Sequence, residues 1–263
     1  MKALITNVFN NINFELCCRM LEEGNEVIGI DQMNNSEDLS FKEEKYMHIG
    51  RNANFHFIDG KSDNFSVYTR KKLRDIDVIF QIPQNDDKTY YKAKENSAQV
   101  KLLLKLAKEN NARIVYLSSY EVYGSLYGEI NEDTGKKPKT PFGLRLFYEE
   151  EIVQEQKDIP YVIIRTPVIY GHWVSKKKLV NMKASDVIFV DDAVQAMLLA
   201  SETKYVNEVF NLTTRSGGIS RTYRIDGTKA KELLGFKQTV SLEKGKRILY
   251  NAVNSNKKEN EDN

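Results

Sequence analysis

Hydrophobic and polar positions along this chain repeat with two alternating periods. Residues 2–6 (KALIT) form a short apolar run. Residues 14–21 then repeat apolar side chains at helical spacing as far as Gly24, and residues 26–30 (EVIGI) form a second apolar run closing on Asp31. A short apolar run bounded by turn residues reads as a buried strand, and the three-and-four spacing reads as a helix. Further strands are expected at 54–58, 77–82, 112–117 and 161–165. Helices are expected at 91–110, with Val100, Leu103, Leu104 and Ala107 on one face, and at 142–156. Strands that alternate with helices predict an α/β fold, a Rossmann-like doubly wound parallel sheet. Past residue 171 the pattern thins to a helix at 191–201, a strand at 208–212 and helices at 228–234 and 241–254. We read this as a small, truncated C-terminal lobe, so residues 1–253 form one domain with the lobe drawn mainly from 171–253. Residues 254–263 are polar and charged and are expected to be disordered.

The first strand, helix and second strand end on an acid, the layout of a nucleotide-binding βαβ unit. Such a unit places glycines at three points of its turn, and here those points hold Asn7, Asn10 and Asn13. Each glycine has a steric reason: a left-handed turn, close approach of backbone to a pyrophosphate, and tight helix–strand packing. Asparagine tolerates the left-handed region, so Asn7 is expected to keep the turn. Asn10 is expected to push an amide into the space a diphosphate needs, and Asn13 to crowd the helix–strand contact or the ligand. Asp31, 18 residues after Asn13, stands where a ribose-binding carboxylate belongs.

Composition changes this picture little. The net charge of +2 and mixed charges argue against nucleic acid as the main partner, and the basic clusters at 70–72 and 176–178 read as solvated surface. Residues 1–6 enter a core strand at once, so no signal peptide is expected, and no apolar run is long enough to span a bilayer. Cys17 and Cys18 are adjacent on a helix and suit neither a disulfide framework nor a metal site. Buried thiols in a reducing cytoplasm are the expectation. His48, His56 and His172 show no ligand spacing.

Four later segments carry a resemblance. They are Ser118-Ser119 followed by V-Y-G at 122–124, an R-x-P-x-x-Y-G run from Arg165 to Gly171, a V-D-D run at 190–192, and a D-x-x-K-A-x-x-x-L-G-F run from Asp226 to Phe236. In this order they resemble the extended short-chain dehydrogenase/reductases, in the NAD-dependent epimerase/dehydratase branch that acts on nucleotide sugars. The resemblance runs from Lys2 to about Val253. It implies a catalytic Ser119, and a Y-x-x-x-K pair at the start of the following helix. This chain has Phe142 and Leu146 at those two positions. The family tyrosine moves a proton on a sugar hydroxyl during hydride transfer, and general acid–base work needs an ionisable group there. Arg145 could share the face of Phe142 and hold a ribose or phosphate, but it stays protonated and cannot act as a base. Glu121 stands where family dehydratases often carry a glutamate, with Tyr120 in place of the neighbouring aspartate.

Through the same resemblance, the cofactor positions Asn7, Asn10, Asn13, Asp31, Asn96 and Arg165 are expected to be vestigial. Lys61 follows Gly60 where an adenine-binding aspartate belongs, and Pro83 and Gln84 replace two small residues beside the cofactor ribose. The stretch between Gly171 and Val190 is short for a nucleotide-sugar lid. The expected cofactor is therefore none, or weak, and NAD if any. The leading reading is a pseudoenzyme: a binding, scaffolding or regulatory subunit linked to nucleotide-sugar metabolism. It would pair with itself or with an active relative through helices 91–110 and 142–156, and would bind a nucleotide-like small molecule but neither nucleic acid nor membrane. Two alternatives stay open: an active NAD-dependent nucleotide-sugar epimerase or dehydratase with altered catalytic residues, and a dinucleotide or metabolite sensor without turnover.

Overall fold

The computed structural model describes residues 1–33, 39–60, 73–83, 97–173, 187–213 and 222–261, with side chains as far as Asn251. Seven strands form one parallel sheet. In chain order these are β1 (Lys2–Thr6), β2 (Glu26–Asp31), β3 (Phe55–Asp59), β4 (Val78–Gln81), β5 (Arg113–Ser119), β7 (Tyr161–Thr166) and β10 (Glu208–Asn211), and their spatial order is β10-β7-β5-β4-β1-β2-β3. The order reverses beside β1, which pairs in parallel with both β2 and β4. A crevice at the carboxyl ends of the strands is expected at that reversal.

Helices cover both faces. Helix α1 (Asn11–Glu22) buries Asn13, Leu16, Cys17, Met20 and Leu21, a helical stripe that packs on one face with α5 (Val190–Glu202). On the other face lie α3 (Ala98–Asn110), buried through Val100, Leu103, Leu104, Leu106 and Ala107, and α4 (Pro141–Gln154). Helix α3 stops at Asn111, left-handed at φ 53°, whose N–H reaches back to the Ala107 and Lys108 carbonyls. Helix α4 starts with Thr140 accepting from the Gly143 N–H at 2.9 Å and Pro141 in the first turn, a pairing that satisfies an orphan donor and presets the backbone. Helix α2 (Leu39–Ile49) follows β2. Before α4, a single 3₁₀ turn (Tyr120–Tyr123) ends at Gly124. Gly124 has φ 73°, and a Cβ there would strike the Lys137 carbonyl, so only glycine fits.

The small lobe consists of two parallel strand pairs, β6 (Gly128–Ile130) with β11 (Tyr223–Ile225) and β8 (Val168–Tyr170) with β9 (Val187–Phe189), a short helical turn (Ala230–Leu234) and α6 (Leu242–Glu261). It docks on α5 through Asp192. That carboxylate is fully buried and accepts the Thr239 N–H and hydroxyl, each at 2.7 Å, and the Val240 N–H at 3.0 Å. Helix α6 runs on to Glu261, into the stretch 254–263 whose polar composition argues for disorder. Among the described residues no helix is long and apolar enough to cross a membrane.

Two glutamates of α4 point into the protein. Glu150, fully buried, receives Arg165 Nε at 3.0 Å and Nη2 at 2.8 Å in a two-pronged ion pair. Glu149, also fully buried, accepts from Tyr116 at 2.8 Å and Arg145 Nε at 2.7 Å. Burial pushes the Glu149 carboxyl upward, with Arg145 and Tyr116 pulling it back. Removing one partner of a buried ion pair strands the other charge. Glu150→Ala is therefore expected to destabilise the fold by about 3–5 kcal/mol, read as a lower urea midpoint with an unchanged slope.

Candidate functional site

The turn after β1 keeps its left-handed residue. Asn7 has φ 50°, and its carbonyl accepts the Asn10 N–H at 2.9 Å. Asn10 is extended (φ −72°, ψ 154°) and precedes α1 without a side-chain capping bond. Its amide stands on the wall of the crevice beside Asn11 and Asn13. Asn13 does not crowd the helix away from the strand as expected. It is 1% exposed, and its Nδ2 donates to the Thr6 carbonyl at 2.6 Å. The side chain that replaces a glycine thus ties the first turn of α1 to the end of β1.

Asp31 is 4% exposed, and its carboxylate is already engaged by the protein. Oδ2 accepts the Phe9 N–H at 3.0 Å. Oδ1 accepts the Gln32 N–H at 2.8 Å and the Lys42 ammonium at 2.6 Å. Lys42 of α2 thus closes over the strand-end acid, and it also donates to the Gln32 carbonyl at 3.0 Å. One turn on, Lys45 donates to the Phe9 carbonyl at 2.6 Å and to Asn11 Oδ1 at 3.2 Å, with its ammonium 4.3 Å from the Phe41 ring centre. Burial pulls Lys45 down from the usual 10.5 to about 8, against Glu15 and Asp31, which pull it up. Sequence reading passed over Phe41, Lys42 and Lys45. Their signal was a lysine pair at helical spacing shortly after the strand-end acid.

The crevice continues to the carboxyl end of β5 as one cavity of about 710 Å³, lined by Asn10, Asn13, Pro83, Ser119, Glu121, Phe142 and Leu146 among others. The structure thus brings the loop asparagines and the expected catalytic positions into one cleft. Ser119 Oγ accepts the Glu121 N–H at 3.3 Å. The Glu121 carboxylate is held by the Thr140 hydroxyl. Phe142 is half-buried on α4, and Leu146, one turn later, is fully buried in the core. Tyr120 turns its hydroxyl away to the Leu212 carbonyl.

Two expected site residues lie elsewhere. Arg145 reaches along α4 to Glu149 rather than into the cleft. Arg165 does not line the cleft: it is 2% exposed, paired with Glu150, and donates to Tyr123 Oη at 2.8 Å and the Glu132 carbonyl at 3.1 Å. Asn96, Lys61, Gln84 and the basic clusters at 70–72 and 176–178 lie outside the described residues. Both cysteines are free. Burial pushes their thiols up, Cys18 to about 12, which leaves them unreactive. Among the described residues no group of three or more His, Cys, Asp and Glu is arranged to hold a metal.

Comparison with known proteins agrees with this architecture. Residues 14–188 match the family model described as the NAD dependent epimerase/dehydratase family. An uncharacterized UDP-glucose epimerase of Bacillus subtilis (strain 168), YtcB, is 28% identical over an alignment of 185 residues that covers 65% of this chain and 57% of that protein. The aligned region thus spans little more than half the length of that relative. UDP-glucuronic acid 4-epimerase from Bacillus cereus in complex with NAD superposes with a TM-score of 0.75 at 26% identity, over 93% of this chain and 94% of that one. UDP-glucose 4-epimerase with UDP-glucose from Thermotoga maritima shares the fold at a TM-score of 0.71 and 19% identity, over 93% and 96%.

Two outcomes follow from this geometry. Asn13→Gly removes the bond to Thr6 and places glycine in a helix, so it is expected to destabilise by about 1–2 kcal/mol, measured by thermal melting. For Lys45, the folded state releases its proton near pH 8 while the unfolded chain holds it to about 10.4. The unfolded state therefore binds more protons between those values, and this group's contribution to stability rises with pH. Melts of the wild type and Lys45→Met should show the difference, wild type minus variant, increasing from pH 7 to pH 9.

Proposed function

The chain belongs to the NAD-dependent epimerase/dehydratase family, and we propose that within it the chain is a non-catalytic member serving as a binding or regulatory subunit linked to nucleotide-sugar metabolism. One observation carries this reading. Phe142 and Leu146 stand on the cleft wall with Ser119, so the two positions of the resemblance's proton-transfer pair hold no ionisable group. Leu146 is also fully buried in the hydrophobic core, where a lysine ammonium would be desolvated. Hydride transfer at a carbon bearing a hydroxyl needs a base for the departing proton. Glu121 is the carboxylate on that wall, and it is tied to Thr140.

The residues present do not fit NAD well. The Asp31 carboxylate is taken up by Phe9, Gln32 and Lys42, and Asn10 stands on the cleft wall where the family's turn has a glycine. The Bacillus cereus epimerase is in complex with NAD, so the departure concerns this chain rather than the fold. A second reading, ligand sensing without turnover, is favoured by the open 710 Å³ cavity.

For its partner we propose the helix face formed by α3 and α4. A groove of about 640 Å³ there sets Lys101, Lys105 and Lys108 against Glu151 and Glu155, with Tyr148 and Ile152 between them. Rows of opposite charge on adjacent helices are self-complementary under a two-fold axis, which suits a second copy or an active relative. The free thiols of Cys17 and Cys18 fit a reducing cytoplasm.

The test is direct. Purified protein with UDP-glucose or UDP-glucuronic acid and added NAD is expected to show no epimerisation. Calorimetry is expected to show no sub-micromolar binding of NAD(H) or NADP(H). The Phe142→Tyr, Leu146→Lys double variant should also stay inactive, because no oriented nicotinamide faces the restored pair. Turnover by the wild type, or copurified dinucleotide, would overturn the reading in favour of an active epimerase.

A further inference from the structure

We propose that Lys42 shuts the ribose end of the cleft: its ammonium is an internal competitor for Asp31, and this one side chain of α2 keeps a dinucleotide ribose from the strand-end acid. The inference rests on the reading that the chain has lost dinucleotide binding, and it names a residue responsible.

The acceptor count at Asp31 is the first argument. An ionised carboxylate offers about four lone-pair sites. Three donors occupy this one: the Phe9 N–H at 3.0 Å on Oδ2, and the Gln32 N–H at 2.8 Å and the Lys42 ammonium at 2.6 Å on Oδ1. A ribose diol brings a pair of hydroxyls, and about one acceptor site is left for them, on a carboxylate only 4% exposed. The Phe9 and Gln32 donors are backbone amides that follow β1 and β2, so they belong to the fold itself. Lys42 is the side-chain donor, and its removal is what returns room for two hydroxyls.

Placement is the second. Lys42 lines the 710 Å³ cavity together with Phe41, and Asp31 lies behind it. A ligand entering from the cavity meets the ammonium before the acid. The ammonium is held at that point by a further acceptor, the Gln32 carbonyl at 3.0 Å. A ribose must therefore break an ion pair before it reaches Asp31. The apparent affinity of a ligand falls with the fraction of protein that is open to it.

The third is that the fold does not depend on this contact. One turn on, Lys45 fastens α2 to the turn after β1 through the Phe9 carbonyl and to α1 through Asn11 Oδ1. Its ammonium also lies 5.1 Å from the Phe14 ring centre and 4.3 Å from that of Phe41. Helix α2 thus keeps an anchor when Lys42 is neutralised. The contact that closes the acid is separable from the contact that seats the helix.

The experiment is calorimetry on the full chain with NAD and with its analogue lacking the adenosine 2′-hydroxyl, alongside the epimerisation assay. It compares the wild type with Lys42→Met, Lys42→Gln and Lys42→Arg, each shown to be folded by thermal melting. The two neutral variants are expected to bind NAD about tenfold more tightly than the wild type, the size of one hydrogen bond to a charged group. The deoxy analogue should show no such gain, because the gain depends on the hydroxyl that reaches Asp31. Lys42→Arg keeps the cation and should bind as the wild type does. Neutral variants that bind NAD no better than the wild type, or that gain equally for the deoxy analogue, overturn the proposal. In those cases the non-catalytic reading stands as long as the assay shows no turnover. Turnover by the wild type overturns that reading instead, and the comparison of variants still decides the role of Lys42.

Discussion

The buried ion pair between Arg165 and Glu150 joins β7 to α4 and sets the position of nearly everything near the cleft. The guanidinium also reaches Tyr123 in the turn after β5 and the Glu132 carbonyl beyond it. Tyr123 in turn donates to Asn211 Oδ1 at 2.7 Å, at the end of β10. Three neighbouring strands and one helix are thereby tied together at the end of the sheet where the cleft opens. Such a pair adds little over a well-packed apolar replacement, but losing one half of it is severe. Its consequence is geometric. Ser119 lies on the strand and turn, and Phe142 and Leu146 on the helix, that this network holds in register.

Within that frame, the cleft is lined by side chains that bind one another. Three asparagines occupy the loop, yet Asn7 keeps the left-handed turn and Asn13 binds the end of β1. Lys42 and Lys45 lie over the loop from α2 and take up the strand-end acid and the loop carbonyl. Phe142 and Leu146 leave the far wall apolar. The side chains of Asn13, Lys42 and Lys45 satisfy buried polar groups of the chain itself.

Much of the fold was legible in the sequence, because buried parallel strands are short apolar runs and α1 and α3 repeat apolar residues at helical spacing. The left-handed Asn7 was legible because asparagine is one of few residues suited to that backbone region. The roles of Arg165 and Asp31 were not. Glu149, Glu150 and Glu151 read along the chain as a solvated acidic face, and only the rotation of α4 sends two of them inward to Tyr116 and Arg165. Lys42 and Lys45 likewise sit in a charged stretch that reads as surface until α2 is placed beside β2. Those contacts bridge separations of 11 to 36 residues, beyond the reach of local pattern.

The parallel pairing of β8 with β9 has a consequence for how this lobe varies in length. Tyr170 stands opposite Phe189, and 16 residues separate Tyr170 from Val187 along the chain. Asp192, just past β9, fastens the lobe independently of that stretch. The entropy of closing a flexible loop grows only logarithmically, by about 0.6 kcal/mol for each doubling. Chain inserted or deleted between the two strands therefore barely changes the stability of their pairing. The lobe can shrink or grow in descendants of one ancestor without a compensating change in the core.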